Sequence, residues 1–234
     1  EEVILREGPE TVGLLCLEPI TAGGGVIEAP EGYWERVREI CDKYDILLHI
    51  DEVVCGVGRT GKWFGYQHFG IEPDFVTMAK GVASGYAAIA CMVTTERVFE
   101  MFKDDASDPL NYFRDISTFG GCTAGPAAAL ANMQIIEDEG LVKRSAELGS
   151  YAMEYLQEQI GRLPTTADIR GRGLMFGIEI AGEGKDPAQA RSRAEQIYYA
   201  CLEAGLSFKI SQGNVLTLSP PLTITRHDLT RALD

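Results

Sequence analysis

Positive charge, histidine, paired cysteines and long apolar runs are all scarce in this sequence, and each scarcity removes a class of function. The 234 residues carry 35 acids against 21 bases, a formal net charge of −14. Recognition of nucleic acid or an anionic membrane surface needs clustered lysine and arginine, so neither is expected as a partner. His49, His68 and His227 share no metal-ligand spacing, and no metal site is expected. Cys16, Cys41, Cys55, Cys91, Cys122 and Cys201 are scattered without a C-x-x-C. Three of them sit in apolar runs, which favours reduced thiols in a cytoplasmic protein over a disulfide framework. No apolar stretch is as long as a membrane span and no signal peptide is recognisable, so a soluble protein is expected.

What remains is ordinary globular composition, 45% apolar and 24% charged, in a chain long enough for a substantial core. Residues 1–7 read as the end of a helix, and Thr225-Arg226-His227-Asp228 opens one that stops at Asp234. With no initiating methionine, the expectation is a piece of a longer polypeptide. Buried-strand patterns fall at residues 11–17, 46–50, 75–79 and 89–93, and Pro30 opens an amphipathic helix to about Tyr44 with Trp34, Val37, Ile40 and Cys41 on one face. Near-continuous apolar strands alternating with helices predict an α/β fold with a parallel or mixed sheet covered by helices. Residues 125–163 read as two helices broken near Gly140. Beyond Pro164 the texture becomes α+β: a strand over 174–180, a helix over 187–204, and short strands near 206–210 and 215–218. A domain boundary is placed near residue 150, dividing 1–150 from 151–234.

The most informative stretch is residues 46–85. One apolar strand ends on Asp51, a glycine-rich turn follows, and a second apolar run ends on an isolated Lys80. Ligands of open α/β sheets gather beyond the carboxyl ends of the strands, where both residues fall. Lysine is seldom buried without a purpose, and desolvation at such a position favours the neutral amine that Schiff-base chemistry requires. An acid beside that lysine suits pyridoxal phosphate, whose ring nitrogen must stay protonated to accept electrons. The bland alternatives are a polar strand end at Asp51 and a solvated lysine at Lys80.

Gly56-Val57-Gly58-Arg59-Thr60-Gly61 satisfies G-x-G-x-x-G, and with Lys62 it satisfies G-x-x-x-x-G-K. A nucleotide phosphate loop needs Ser or Thr after that lysine, where this chain has Trp63, and a helix must begin inside the glycines. Trp63-Phe64-Gly65-Tyr66 and Pro73 do not read as one. Ser117-Thr118-Phe119-Gly120-Gly121 is a turn before a helix, suited either to phosphate or simply to capping. Arg170-Gly171-Arg172-Gly173 reads as a turn into a strand in preference to an anion site. Asp104-Asp105 with Asp108 reads as a solvated acidic loop and not a calcium site.

Taken in order, EPITAGGGV, DEVVCGVGRTGKWFGYQHFG, PDFVTMAKG, STFGG and RGRGLMFGIE resemble the class III (ω-amino acid:pyruvate type) aminotransferases over essentially the whole chain. The resemblance implies a fold-type I pyridoxal phosphate transferase, with a mostly parallel sheet in a large domain and a C-terminal α+β small domain. It also implies a homodimer with active sites shared at the interface. By the same resemblance Lys80 carries the cofactor and moves the substrate proton, and Asp51 pairs with the pyridine N–H. Val53 packs on one ring face, Thr118 reaches the cofactor phosphate of the neighbouring subunit, and Glu18 lies near the site. The family's phosphate-cradling loop and the aromatic over the other ring face correspond to positions upstream of residue 1.

The departures matter. In relatives using 4-aminobutyrate or ornithine, a glutamate follows the EP glutamate by five residues and pairs with an arginine; here those places hold Gly23 and Thr217, and Val54 replaces a common glutamine. The resemblance therefore implies a transaminase pairing an amine or ω-amino acid donor with a 2-oxo acid, pyruvate being the expected acceptor. Lys209 is the one candidate for a substrate-binding cation near residues 206–212. A same-family aminomutase or racemase, and more remotely a nucleotide-binding hydrolase built on residues 56–62, stand as alternatives.

Overall fold

The computed structural model describes residues 1–103, 107, 113 and 116–234; the acidic loop at Asp104, Asp105 and Asp108 lies outside the described residues. In chain order, α1 (Glu2–Glu7) leads into β1 (Leu14–Leu17) and a ribbon of β2 (Ile20–Thr21) and β3 (Ile27–Glu28). Next come α2 (Tyr33–Lys43), β4 (Leu47–Asp51), β5 (Phe75–Met78), β6 (Cys91–Thr94) and α3 (Glu96–Glu100). Two long helices, α4 (Ala124–Asp138) and α5 (Leu141–Gln159), lead to β7 (Thr166–Arg172) and β8 (Met175–Ile180). The chain closes with α6 (Pro187–Glu203), β9 (Lys209–Ser211), β10 (Val215–Leu218) and α7 (Arg226–Leu233).

The first sheet runs β1-β4-β5-β6, with β1, β4 and β5 parallel and β6 antiparallel at the edge, which is the expected mixed α/β sheet. Its strands form because Leu48 and Ile50 of β4 bury against Trp34, Val37 and Cys41, the apolar face of α2. The alternate residues Leu47, His49 and Asp51 point to the opposite face, as the two-residue period of a strand requires. The second sheet is antiparallel, β7-β8-β10-β9. β8 is buried on both faces: Met175 packs on Ile20, Val26 and Cys55, while Phe176 packs on Ala152, Leu174 and Leu229. Through β8 the second sheet thus packs on the β2–β3 ribbon and the Cys55 loop on one side and on α5 and α7 on the other.

Local chemistry sets the helix ends. Gly140, at φ 61°, makes the left-handed break between α4 and α5. Asp186 caps α6 by accepting the Ala188 N–H at 3.0 Å, with Pro187 in the first turn, and Thr225 caps α7 by accepting the Asp228 N–H at 3.0 Å. Residue 150 falls inside α5, which packs on both β7 and α7.

Several elements differ from the sequence reading. Thr11 belongs to a short 3-10 turn, and β1 begins only at Leu14. Residues 206–208 are a connection that follows the helix-ending Gly205, at φ 90°, so β9 starts at Lys209. Arg170 to Arg172 form the end of β7 itself, and the reversal falls at Gly173 and Leu174. No helix among the described residues is long and apolar enough to cross a membrane.

Candidate active site

Parallel pairing of β1, β4 and β5 brings their carboxyl ends to one edge. Leu17 pairs with Ile50, and Asp51 pairs with Thr77, so Glu18, Asp51 and Lys80 emerge side by side where the strands stop. Asp51 Oδ1 accepts the Val53 N–H at 2.9 Å, folding the chain into a turn that presents Val53 and Val54 beside it. Asp51 Oδ2 has no hydrogen-bond partner among the described residues. Glu18 Oε2 accepts the Ala22 N–H at 3.1 Å.

Lys80 opens a one-turn 3-10 segment, Lys80–Val82, at a left-handed φ of 42°. The expectation that it is buried is not met: Lys80 is exposed, because the chain leaves the sheet one residue earlier and swings the side chain over an open cleft. That cleft holds about 800 Å3 and lies between the strand ends and the second sheet. Glu18, Asp51, Val53, Lys80 and Lys209 all line it. So do Gly23 and Thr217, the positions where an acid–arginine pair was noted as missing. Thr217 lies opposite Lys209 in the β9–β10 register, and its Oγ1 donates to Ser211 Oγ at 3.1 Å. Lys80 and Lys209 are the cleft's cations among the described residues. Thr118 is not part of this cleft; it sits on an exposed turn ahead of α4.

The glycine-rich loop has a different task from the one its motif suggests. Glu52, 1% exposed, accepts the N–H groups of Gly65 and Tyr66, each at 2.8 Å, and so fixes the far end of the loop. Burial pushes the Glu52 carboxyl above its ordinary value, against the opposing pull of those two N–H groups. Arg59 Nη1 donates to the carbonyls of Leu174 at 2.9 Å and Pro220 at 2.5 Å, and burial lowers its pKa. The Arg59 carbonyl in turn accepts from Leu174 N–H and Ser145 Oγ. A Cβ at Gly61 would stand 2.9 Å from the Ala146 Cα, so this glycine admits α5 instead of a phosphate. No α-helix begins in the loop; a short 3-10 turn, Gly65–His68, follows it. The arginines of the Arg170 to Gly173 run are also committed structurally. Arg170 Nε donates to the carbonyls of Gly25 and Val26, and Arg170 Nη1 pairs with Asp168 and Glu179; Arg172 pairs with Glu28 at 2.6 Å.

One residue bearing on this edge escaped the sequence reading. Asn132 of α4 donates from Nδ2 to the carbonyls of Gly81 at 2.8 Å and Val82 at 3.0 Å, directly after Lys80. Its signal was present: Asn132 falls on the same helical stripe as Ala129 and Ile136, where an apolar side chain would be expected.

Comparison with known proteins gives the family. The family profile described as Aminotransferase class-III matches residues 1–234. The hypotaurine/taurine–pyruvate aminotransferase of Paracoccus denitrificans is 56% identical over 100% of this chain and 52% of its own length. The taurine–pyruvate aminotransferase of Rhodobacter capsulatus is 54% identical over 99% of this chain and 52% of its own. Among solved structures, a Bacillus anthracis aminotransferase superposes with a TM-score of 0.91 at 40% identity, covering 99% of this chain and 53% of that one. The chain spans about half the length of the curated relatives it matches. By the whole-length profile match and these identities, the chain belongs to the class-III aminotransferase family.

Proposed function

We propose that the protein carrying this chain is a pyridoxal 5'-phosphate-dependent transaminase that moves an amino group from a short amine bearing a remote anion, of the taurine or hypotaurine type, to pyruvate. The observation that carries the reading is the parallel β4–β5 register, which delivers Asp51 and Lys80 to one cleft edge facing Lys209. The donor set fits the cofactor: a primary amine free of other partners among the described residues, a carboxylate with one uncommitted oxygen, and an apolar valine lining the same cleft.

When bound, the cofactor supplies an aldehyde to capture amines and an electron-withdrawing ring. Lys80 Nζ would hold the cofactor through its amine and would take up the proton from the donor's amine-bearing carbon. Asp51 Oδ2, free of other partners among the described residues, would hold the proton on the cofactor's ring nitrogen, and Val53 would supply an apolar wall for the ring. The absence of an acid at Gly23 and of a cation at Thr217 leaves Lys209 to meet the donor sulfonate or the acceptor carboxylate. Thr118, exposed and outside the cleft of its own chain, would be free to reach the cofactor phosphate of a second subunit in a homodimer. Glu18 shapes the cleft floor through its bond to Ala22. The free state of the six cysteines supports a cytoplasmic setting. The change from the β1-β4-β5-β6 sheet to the β7-β8-β10-β9 sheet falls along α5, around residue 150, and divides 1–150 from 151–234 without a break in the helix.

The deciding experiment incubates the full-length protein with pyridoxal phosphate, reduces it with borohydride and maps the adduct by mass spectrometry, alongside an assay of taurine-dependent alanine formation from pyruvate. A pyridoxyl group on Lys80 with alanine produced supports the proposal. An adduct with isomerisation needing no oxo acid would move the reading to the aminomutase or racemase class, and no adduct on Lys80 would remove the cofactor reading altogether.

A further inference from the structure

We propose that Asn132 is a positioning residue that holds the Lys80–Val82 turn in the left-handed conformation from which Lys80 enters the cleft. The inference rests on the role given to Lys80 above. A non-glycine residue at φ 42° is strained and persists only where its surroundings over-determine it. The surroundings here are specific. Val82 N–H donates to the Ala79 carbonyl at 3.0 Å, closing the turn, and the Val82 side chain is fully buried among Val57, Met78, Ala129 and Ile136. Gly81 sits so close to Val57 that a Cβ there would come within 3.2 Å of the Val57 Cβ. These apolar contacts hold the turn against α4 and the glycine-rich loop, and they are non-directional.

Rotation is fixed from the side by Asn132. Its amide nitrogen spends both protons on consecutive carbonyls, Gly81 at 2.8 Å and Val82 at 3.0 Å. The assignment of nitrogen and not oxygen to this position follows from chemistry, since both partners are acceptors only. Two bonds from one rigid group to adjacent peptide planes set the direction in which the preceding residue leaves the turn. A polar side chain on the apolar stripe of α4 is otherwise unexplained, because leucine there would suit Ala129, Met133 and Ile136 better for packing. The half-buried site makes each bond harder for water to replace.

The test compares wild type with Asn132→Leu, which keeps the branching of the side chain and suits the apolar stripe, and Asn132→Gln, which keeps the donor. In cofactor-free full-length protein, the rate of Lys80 acylation by an amine-reactive probe is read by peptide mass spectrometry. With pyridoxal phosphate added, borohydride trapping at Lys80, the pH midpoint of the visible absorbance, kcat and KM are measured. Asn132→Leu is expected to change the Lys80 acylation rate, shift the absorbance midpoint and lower kcat roughly tenfold to a hundredfold with KM little altered, the scale of displacing a reacting group by about an ångström. Asn132→Gln should restore part of each. A variant that only melts earlier, with Lys80 acylation and the pH midpoint of wild type, overturns the proposal. If wild type itself gives no pyridoxyl adduct at Lys80, the cofactor reading fails, and the acylation rate in cofactor-free protein alone decides whether Asn132 controls the lysine.

Discussion

Gly149 of α5 lies directly against the carbonyl of Gly173, so that a Cβ at position 149 would overlap it. The contact lets α5 approach the β7–β8 reversal, where Ser145 Oγ also accepts the Leu174 N–H at 3.2 Å. In an isolated helix, Gly→Ala would gain about 1 kcal/mol from propensity. Here the overlap is with backbone, which cannot swing aside as a side chain would, so the sign reverses. Gly149→Ala is expected to destabilise by about 1–3 kcal/mol, lowering the melting midpoint by roughly 3–10 °C. A thermal melt that shows an unchanged or higher midpoint would sink this account of the packing.

His68 gives a pH dependence with a defined sign. Burial, reinforced by the nearby charges of Arg172 and Lys62, holds its pKa down to about 4, while Nε2 faces the Thr60 carbonyl at 3.1 Å. Between about pH 4 and the ordinary 6.5 the unfolded chain binds more protons at this site than the folded one. Its contribution is therefore complete above about pH 6.5 and is lost as pH falls toward 4. Screening at a half-buried ring limits the effect to about 1–2 kcal/mol. Denaturant melts at pH 7.5 and 4.5 should show His68→Gln losing less stability across the interval than wild type; equal losses would refute the claim.

Asp51→Asn preserves the shape of the strand end and the bond to Val53 N–H but cannot hold a proton on a ring nitrogen. The variant should still trap pyridoxal phosphate on Lys80 while turnover falls on the order of 100-fold or more. Unchanged turnover would mean that Asp51 is not the ring's partner.

Lys209→Met keeps the length and apolar stem of the side chain while removing its charge. The expected result is a KM for an anionic donor raised roughly tenfold, with little change for a neutral amine of the same length. Equal effects on both donors would show that Lys209 shapes the cleft without reading charge.

How much of this was legible beforehand differs from element to element. β4 and β5 could be read because apolar runs ending on Asp51 and Lys80 are local patterns, and α6 because Pro187 and its caps are local signals. The burial of Lys80 was misjudged: whether a side chain at a strand's end enters a core or a cleft depends on the φ of its own residue and on which sheet stands opposite. The G-x-G-x-x-G motif misled for the same reason, since glycine marks a close approach without naming the partner.

Local pattern therefore carries α2, β4, β5, α6 and the chemical groups at the strand ends, because these follow from periodicity, caps and residue type over a few neighbours; β2, β3 and β7 have no such pattern and form through pairing with distant segments. Only the tertiary structure decided that Arg59 and Gly61 serve α5 and the β7–β8 reversal, that Lys209, Gly23 and Thr217 share one cleft with Asp51, and that Asn132 reaches across 51 residues of chain to the carbonyl beside Lys80. Those facts rest on distances between segments far apart in sequence, which the close packing of two sheets and two long helices sets and no local pattern contains.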